Sequence, residues 1–150
     1  FKNLQDQHQL HLLLVGNGPK DQIDKFKDLT NVTITGFVNN VQDYLKAMDI
    51  FVMPSTTETT SLATLEAMAT GLPVIASKVG YIKNYVTKDH NGLFFAKNSS
   101  NMLAMKIEKL LHNPELRRHL GQNARNTMAY SFSWERSINR IKRLLLDQSA

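Results

Sequence analysis

Short, nearly wholly apolar runs alternate with longer amphipathic stretches along this chain, and this pattern restricts the folds that it can adopt. The runs are rich in Val, Ile and Leu and end near glycine, proline or serine, which is typical of strands buried on both faces. They predict strands over residues 10–16, 31–38, 50–54, 72–77 and 92–96. The stretches between and after them predict helices over residues 21–29, 41–49, 62–70, 81–87, 100–112, 114–130 and 133–147.

The alternation predicts an α/β fold, a doubly wound parallel sheet of about five strands that is Rossmann-like and ends in C-terminal helices. A chain of 150 residues with 42% hydrophobic content fits one compact domain, 1–150. Such sheets bind ligands beyond the carboxyl ends of their strands. The turns after Val15, Val38 and Pro54 are therefore the first places to search for a site.

Several classes of site are excluded by residue content. The chain has no cysteine, so it holds no disulfide or thiolate metal site, which fits a cytoplasmic location. None of its histidines has the spacing of a metal site, and we expect no metal. No apolar run approaches the roughly 20 residues that span a bilayer. The first ten residues resemble the end of a helix, so we expect the chain to begin inside a larger protein.

The net charge of +5 fits a phosphorylated small molecule, anionic lipid or nucleic acid. The later basic residues fall on predicted helices with acids among them, and no aromatic residues are interleaved for stacking bases. We therefore expect no nucleic acid partner. The first interpretation of the basic residues is that they lie on solvated helix faces, and the second is that they make peripheral contact with an anionic membrane. These basic residues are Lys106, Lys109, Arg117, Arg118, Arg125, Arg136, Arg140, Lys142 and Arg143.

A glycine-rich turn, Gly16–Pro19, follows the first predicted strand. It lacks the third glycine of the dinucleotide fingerprint, since residue 21 is Asp21, and the P-loop lysine is also absent. One interpretation is a tight turn that needs glycine for its conformation. The alternative is a loop that borders a ligand, because it lies at the ligand edge of the sheet.

Glu58 and Glu66 are the only charged residues between Ile50 and Ser77. Hydroxyl residues around Ser61 are suited to capping the next helix, whose first amides would be free and positively polarised. Such a helix end is a natural phosphate site. The two carboxylates then bracket an anion site, which suits a ligand with hydroxyl groups on both sides of a diphosphate.

On the predicted helix, Leu62, Leu65 and Ala69 share an apolar face, with Glu66 at its edge. A helix apolar on most sides is largely buried, and a buried carboxylate must be paired, hydrogen-bonded or protonated. One interpretation is that Glu66 binds ligand hydroxyls. The alternative is that it pairs with a core arginine or tyrosine while Glu58 caps the helix or is solvated.

The motif E-x7-E-A-M-A-x-G-x-P-V-I, here Glu58 to Ile75, resembles the donor-site signature of retaining glycosyltransferases of the GT-B fold, group 1 or family 4. The stretches LLLVGNGP, NVTITGFV, LKAMDIFVMPS, NGLFF and FSWE occur in the order and at the spacing of that family. The resemblance covers nearly the whole chain and is to the C-terminal domain, which binds the nucleotide-sugar donor.

The resemblance implies a role for each matching residue. Glu58 would be the catalytic-site residue that hydrogen-bonds the transferred sugar, and Glu66 would bind the ribose hydroxyls. Backbone amides of Thr60, Ser61 and Leu62 would hold the diphosphate of a UDP- or GDP-sugar. The turn at Phe37–Val38 would line the base. No cofactor or metal is implied, and the acceptor would be a polysaccharide, cell-envelope component or glycolipid.

Two departures from the family pattern affect the site. Thr59-Thr60-Ser61 stands where the family has Gly-Phe-Gly, so the loop should be stiffer near the phosphate. The family's diphosphate-clamping Arg and Lys, and its N-terminal acceptor domain, have no counterpart in these residues. We therefore expect no transferase activity from the chain by itself. A GT-B sugar-nucleotide epimerase, a non-catalytic sugar-nucleotide-binding module and a plain interaction domain remain the alternatives.

Overall fold

The computed structural model describes residues 1–146 and divides into two compact units, Phe1–Met48 and a second that starts at Asp49. Every strand pair within a sheet is parallel. The chain is an α/β protein with Rossmann-like parallel sheets and flanking helices, as the alternating pattern predicted. The strands form one two-stranded and one three-stranded sheet, whereas the sequence suggested one continuous sheet.

The first unit contains two strands and three short helices. In chain order they are α1 (Lys2–Gln5), β1 (Leu12–Leu14), α2 (Lys20–Ile23), β2 (Val32–Ile34) and α3 (Val41–Lys46). Strands β1 and β2 pair with Leu12 opposite Val32. The helix predicted over 21–29 is shorter, because α2 tightens into a 3₁₀ turn over Asp24–Phe26.

Over residues 49–146, the second unit contains three strands and four α-helices. They are β3 (Phe51–Met53), α4 (Leu62–Thr70), β4 (Val74–Ser77), β5 (Gly92–Phe95), α5 (Ser100–Leu111), α6 (Pro114–Ser131) and α7 (Trp134–Leu146). Strand β4 is central and all four of its residues are buried. A core cluster is formed by Ile75, Leu93, Phe95, Leu110 and Leu120.

The C-terminal end of α4 and the middle of α6 approach each other closely at two glycines, Gly71 and Gly121. A Cβ atom on Gly121 would lie 2.1 Å from the carbonyl oxygen of Gly71, so no larger residue fits at this crossing. Gly71 also ends α4 in the left-handed conformation, and Asn113 caps α6 by accepting a hydrogen bond from the Leu116 amide at 2.8 Å. Both helix boundaries agree with the sequence prediction.

One predicted helix is wrong in type. Residues 81–87 were expected to be helical, but the chain forms a 3₁₀ turn over Gly80–Asn84. The tighter turn buries Ile82 and Tyr85 on the same side before the chain enters β5. The last residue of the predicted final helix, Asp147, lies outside the described residues.

Candidate functional site

The loop between β3 and α4, Pro54–Ser61, carries the first of the two glutamates. Glu58 is half-buried, and the hydroxyl of Ser55 donates a hydrogen bond to its Oε1 atom at 3.1 Å. No salt bridge involves Glu58 within residues 1–146. Its carboxylate is therefore oriented by a neutral donor and retains acceptor capacity for another partner.

Helix α4 begins where the hydroxyl pattern predicted. Ser61 is buried, and its side-chain oxygen accepts hydrogen bonds from the Thr64 amide at 3.2 Å and the Thr64 hydroxyl at 2.8 Å. In the described part of the chain, the amides of Thr60, Ser61 and Leu62 donate to no protein acceptor. These three amides stand at the positive end of the helix, where an anion is favoured.

The buried face of α4 differs from the expected one. Leu62, predicted to face the core, is 69% exposed, and Ala69 is also exposed. The buried residues are Thr64, Ala67 and Met68. Because α4 is apolar on most sides, its pattern favours no face, and the close crossing with α6 at Gly71 decides which side is covered.

Glu66 is exposed, so the expectation of a buried carboxylate is wrong. With α4 rotated onto its Thr64 side, Glu66 lies on the solvent side of the helix with Leu62, one turn away. Glu66 is exposed, no salt bridge to it is formed among residues 1–146, and the buried Tyr85 hydroxyl donates to Ser61, so the alternative of a core arginine or tyrosine partner also fails. The carboxylate is open to a ligand without any cost of burial.

Residues 77–85, called the support segment below, lie against the site loop and were missed in the sequence. Ser77 is the first residue of the support segment, and its hydroxyl donates to the carbonyl of Ser55. The amide of Tyr81 donates to the Thr59 carbonyl at 2.9 Å. Residues on each side of Glu58 are thus attached to the same neighbouring segment.

Gly80 provides the closest contact between the support segment and the loop. A Cβ atom on Gly80 would lie 1.7 Å from the carbonyl oxygen of Glu58 and 3.2 Å from that of Thr59. The positive φ of Gly80, +54°, is a further demand for glycine. A glycine beside a buried strand was the only signal in the sequence that could have identified this contact.

Tyr85 is the last residue of the support segment and contacts the residue that caps α4. Its phenol is buried and donates to the carbonyl of Ser61 at 3.4 Å. Burial raises the pKa of Tyr85, and the nearby charge of Glu58 raises it further. The neutral phenol therefore serves as a hydrogen-bond donor next to the helix N-terminus.

Phe37 and Val38 belong to the first unit, whereas the other predicted site residues belong to the second. Phe37 is 77% exposed in the turn after β2. The Gly16 amide donates to the Gly36 carbonyl at 3.1 Å, which joins the glycine-rich turn after β1 to this turn. The carboxyl ends of both strands therefore meet at one edge, as expected for a parallel pair.

Neither a metal cluster nor a spanning helix is found in the described part of the chain. No group of three or more His, Asp or Glu side chains converges within residues 1–146. None of the helices over these residues is long and apolar enough to cross a bilayer.

Residues 1–127 match the family model described as glycosyl transferases group 1. An uncharacterized glycosyltransferase of Methanocaldococcus jannaschii is 31% identical over 137 residues, which are 87% of this chain and 39% of that protein. An α-monoglucosyldiacylglycerol synthase of Acholeplasma laidlawii is 34% identical over 119 residues, 75% of this chain and 29% of that protein. The chain thus spans well under half the length of these curated relatives.

The fold is also shared with a solved structure. The Anabaena protein HepE, in complex with UDP, superimposes with a TM-score of 0.83 at 24% identity. The match covers 93% of this chain and 41% of that structure. At this level of identity the likeness concerns the fold.

Proposed function

Because the chain belongs to the group 1 glycosyl transferases and has the fold of a GT-B glycosyltransferase domain, we propose that it binds the nucleoside diphosphate sugar donor of a retaining, family 4 type transferase. The observation that carries the proposal is the start of α4. Its three unpartnered amides lie between Glu58 in the preceding loop and Glu66 on the exposed face of the helix.

The diphosphate is the part of the donor that suits the helix end. Amides of Thr60, Ser61 and Leu62 donate to its oxygens, and the helix dipole favours its negative charge. Negative charge grows on the leaving diphosphate during transfer, so the same donors stabilise the transition state. This part of the site needs no metal or cofactor.

The two glutamates bind hydroxyl groups on opposite sides of the diphosphate. Glu58 accepts from hydroxyls of the transferred sugar and orients it, which places this residue in the catalytic site. Glu66, which is exposed one turn into α4, accepts from the ribose hydroxyls. The turn at Phe37–Val38 lines the base, mainly through the backbone. HepE was solved with UDP, which supports a nucleoside diphosphate as the ligand class.

The acceptor is proposed from the relatives' names and from the charge of the chain. One relative is named for a glycolipid product. We propose a glycolipid, polysaccharide or cell-envelope acceptor for the whole protein, which would act in the cytoplasm. The exposed arginines of α7, Arg136, Arg140 and Arg143, are suited to peripheral contact with anionic lipid.

Calorimetric titration tests the donor site. The chain is titrated with UDP, GDP and ADP and with UDP-glucose, GDP-mannose and ADP-glucose. Glu66→Ala should weaken binding of the preferred nucleoside diphosphate about 10- to 100-fold, because hydrogen bonds to a charged group contribute about 1.5–3 kcal/mol. Glu58→Ala should bind the nucleoside diphosphate with an affinity within about threefold of the wild type. It should reduce only the additional affinity that the sugar contributes to binding of the nucleotide sugar.

Glu115→Ala is the matched control, since it removes an exposed carboxylate from the first turn of α6 in the same unit. It should bind like the wild type. Equal affinity of Glu66→Ala and wild type for every nucleotide would contradict the ribose role.

A further inference from the structure

We propose that the Gly80–Tyr81 turn is the positioning element of Glu58, and that it enables the site to distinguish a nucleoside diphosphate sugar from the nucleoside diphosphate alone. This inference rests on the proposed function, since it requires a sugar to bind at Glu58. Gly80 and Tyr81 themselves need not contact the donor. They act through the backbone of the loop that carries the carboxylate.

The contact at Gly80 is too close for any other residue. A Cβ atom there would overlap the Glu58 carbonyl oxygen at 1.7 Å and approach its carbonyl carbon to 2.6 Å. These are backbone atoms, which cannot rotate away as the end of a side chain can. Any larger residue must therefore displace Glu58 itself or move the support segment.

The next residue adds a directional attachment. The Tyr81 amide donates to the Thr59 carbonyl at 2.9 Å, immediately after Glu58 in the chain. The Tyr81 side chain is half exposed, and its ring centroid lies 6.4 Å from that of Tyr85. The backbone of residue 81 thus holds the loop, and its ring packs against the residue that supports Ser61.

The attachments follow one another in order along both segments. Four contacts join the two segments, and both members of each pair come later in the chain than those of the pair before. The pairs are Ser77 with Ser55, Gly80 with Glu58, Tyr81 with Thr59 and Tyr85 with Ser61. The loop geometry is therefore imposed by the support segment. The loop has threonine and serine where the related family has glycine, so its own residues allow little readjustment if an attachment is lost.

The direction of the functional effect follows from these contacts. The amides of Ser61 and Leu62 lie at the Ser61 cap, and the three atoms nearest to a Cβ atom on Gly80 belong to Glu58 and Thr59. The Thr60 amide shares a peptide group with the Thr59 carbonyl, so it is the one phosphate donor that the displacement would also move. The Glu58 carboxylate depends on the loop backbone, which Gly80 contacts directly. A displacement of about 1 Å at a site residue can reduce a rate 100-fold. Moving the loop at residue 58 should therefore weaken binding of the sugar more than binding of the diphosphate, which keeps the Ser61 and Leu62 amides.

The test compares Gly80→Ala with the wild type in titrations with UDP and UDP-glucose, GDP and GDP-mannose, and ADP and ADP-glucose. The measured quantity is the ratio of the two affinities in each pair. We expect Gly80→Ala to bind the nucleoside diphosphate within about threefold of the wild type. Its preference for the nucleotide sugar should fall at least about tenfold.

Gly121→Ala is the matched control, because it places a Cβ atom 2.1 Å from another backbone oxygen, that of Gly71. It should lower the unfolding midpoint without changing the affinity ratio. Tyr81→Ala retains the amide and removes the ring, so it should keep most of the preference. A loss of preference in Gly121→Ala equal to that in Gly80→Ala would overturn the inference, since general loosening of the fold would then explain it.

Ser77→Ala provides a second variant in case Gly80→Ala does not fold. It removes the hydroxyl that holds the Ser55 carbonyl, and Ser55 in turn donates to Glu58. We expect a loss of sugar preference of about three- to tenfold with nucleoside diphosphate binding unchanged.

Failure of the inference and failure of the proposed function give different results. A wild-type chain that binds no nucleoside diphosphate in the panel overturns the proposed function, and this inference with it. A wild type that prefers the nucleotide sugar, with that preference intact in Gly80→Ala or in Ser77→Ala, overturns the inference alone. A wild type that binds nucleoside diphosphate without any preference for the sugar also overturns it.

Discussion

Asn91 is a fully buried polar residue whose side chain makes three hydrogen bonds. Its Oδ1 atom accepts from the Thr87 amide at 2.6 Å, and its Nδ2 atom donates to the Tyr85 carbonyl at 2.9 Å. The same Nδ2 atom donates to the Thr127 hydroxyl on α6 at 3.0 Å. Asn91 therefore ties the end of the support segment to a helix of the core.

Replacing Asn91 with alanine should reduce the free energy of unfolding by about 2–4 kcal/mol, because buried groups lose their partners and a cavity remains. Asn123→Ala is the control, since Asn123 is only partly buried while it donates to the His90 carbonyl at 2.9 Å. It should cost less than about 1 kcal/mol. Chemical denaturation of both variants measures the difference. Equal losses in the free energy of unfolding would show that the buried network stabilises the fold no more than a partly exposed hydrogen bond does.

At the scale of the element, the two ends of α4 have different roles. The Ser61 side chain satisfies the Thr64 amide, and within residues 1–146 the amides of Thr60, Ser61 and Leu62 donate to no protein acceptor. The same helix contacts α6 at its C-terminal end through Gly71. Its N-terminus is thus free for a ligand because its other end and one face are held by the core.

Ser61→Ala should destabilise the chain by about 1–2 kcal/mol, since loss of a capping side chain costs about 0.5–2 kcal/mol and this one is buried. Ser99→Ala is the matched variant, because Ser99 caps α5 through a longer, exposed bond to the Met102 amide at 3.4 Å. It should cost about 0.5 kcal/mol. Thermal and denaturant unfolding distinguish the two, and a greater loss for Ser99→Ala would contradict this account of α4.

At the scale of the whole molecule, the two units carry different parts of the predicted site. The first unit contains Phe37 and Val38, and the second contains the residues proposed to hold the sugar, diphosphate and ribose. The chain corresponds to 39% of one curated relative and 29% of another. We therefore expect donor binding to be a property of this chain and transfer to an acceptor to be a property of the whole protein.

We expect the 150-residue chain alone to bind its donor without transferring the sugar. This expectation rests on the resemblance, which implies that the acceptor domain and the diphosphate-clamping cations lie upstream of the residues matched here. To measure transfer, the chain is incubated with the nucleotide-sugar panel and with lipid or saccharide acceptors, and the released nucleoside diphosphate is detected. A longer protein that contains the chain is the positive control. Robust turnover by the chain alone would show that these residues suffice for catalysis.

The sequence by itself determined the order of the elements, the parallel α/β fold and the ends of α4. Apolar runs, a capping serine and a closing glycine are local signals, because each acts on neighbouring residues of the chain. The family motif also identified Glu58 and Glu66. Whether these residues and Phe37–Val38 bind the donor stays a prediction for the titrations.

Only the tertiary structure decided which face of α4 is buried and what supports the Glu58 loop. The α4 pattern is apolar almost all round, so its period favours no side, and contact with α6 selects the Thr64 side and leaves Glu66 exposed. The sequence predicted a strand to residue 77 and a helix over 81–87, and it did not predict the contacts of the support segment with the loop. The hydrogen bonds that make these contacts join residues more than 20 positions apart. No local pattern carries such contacts, since they form only when the strands have paired.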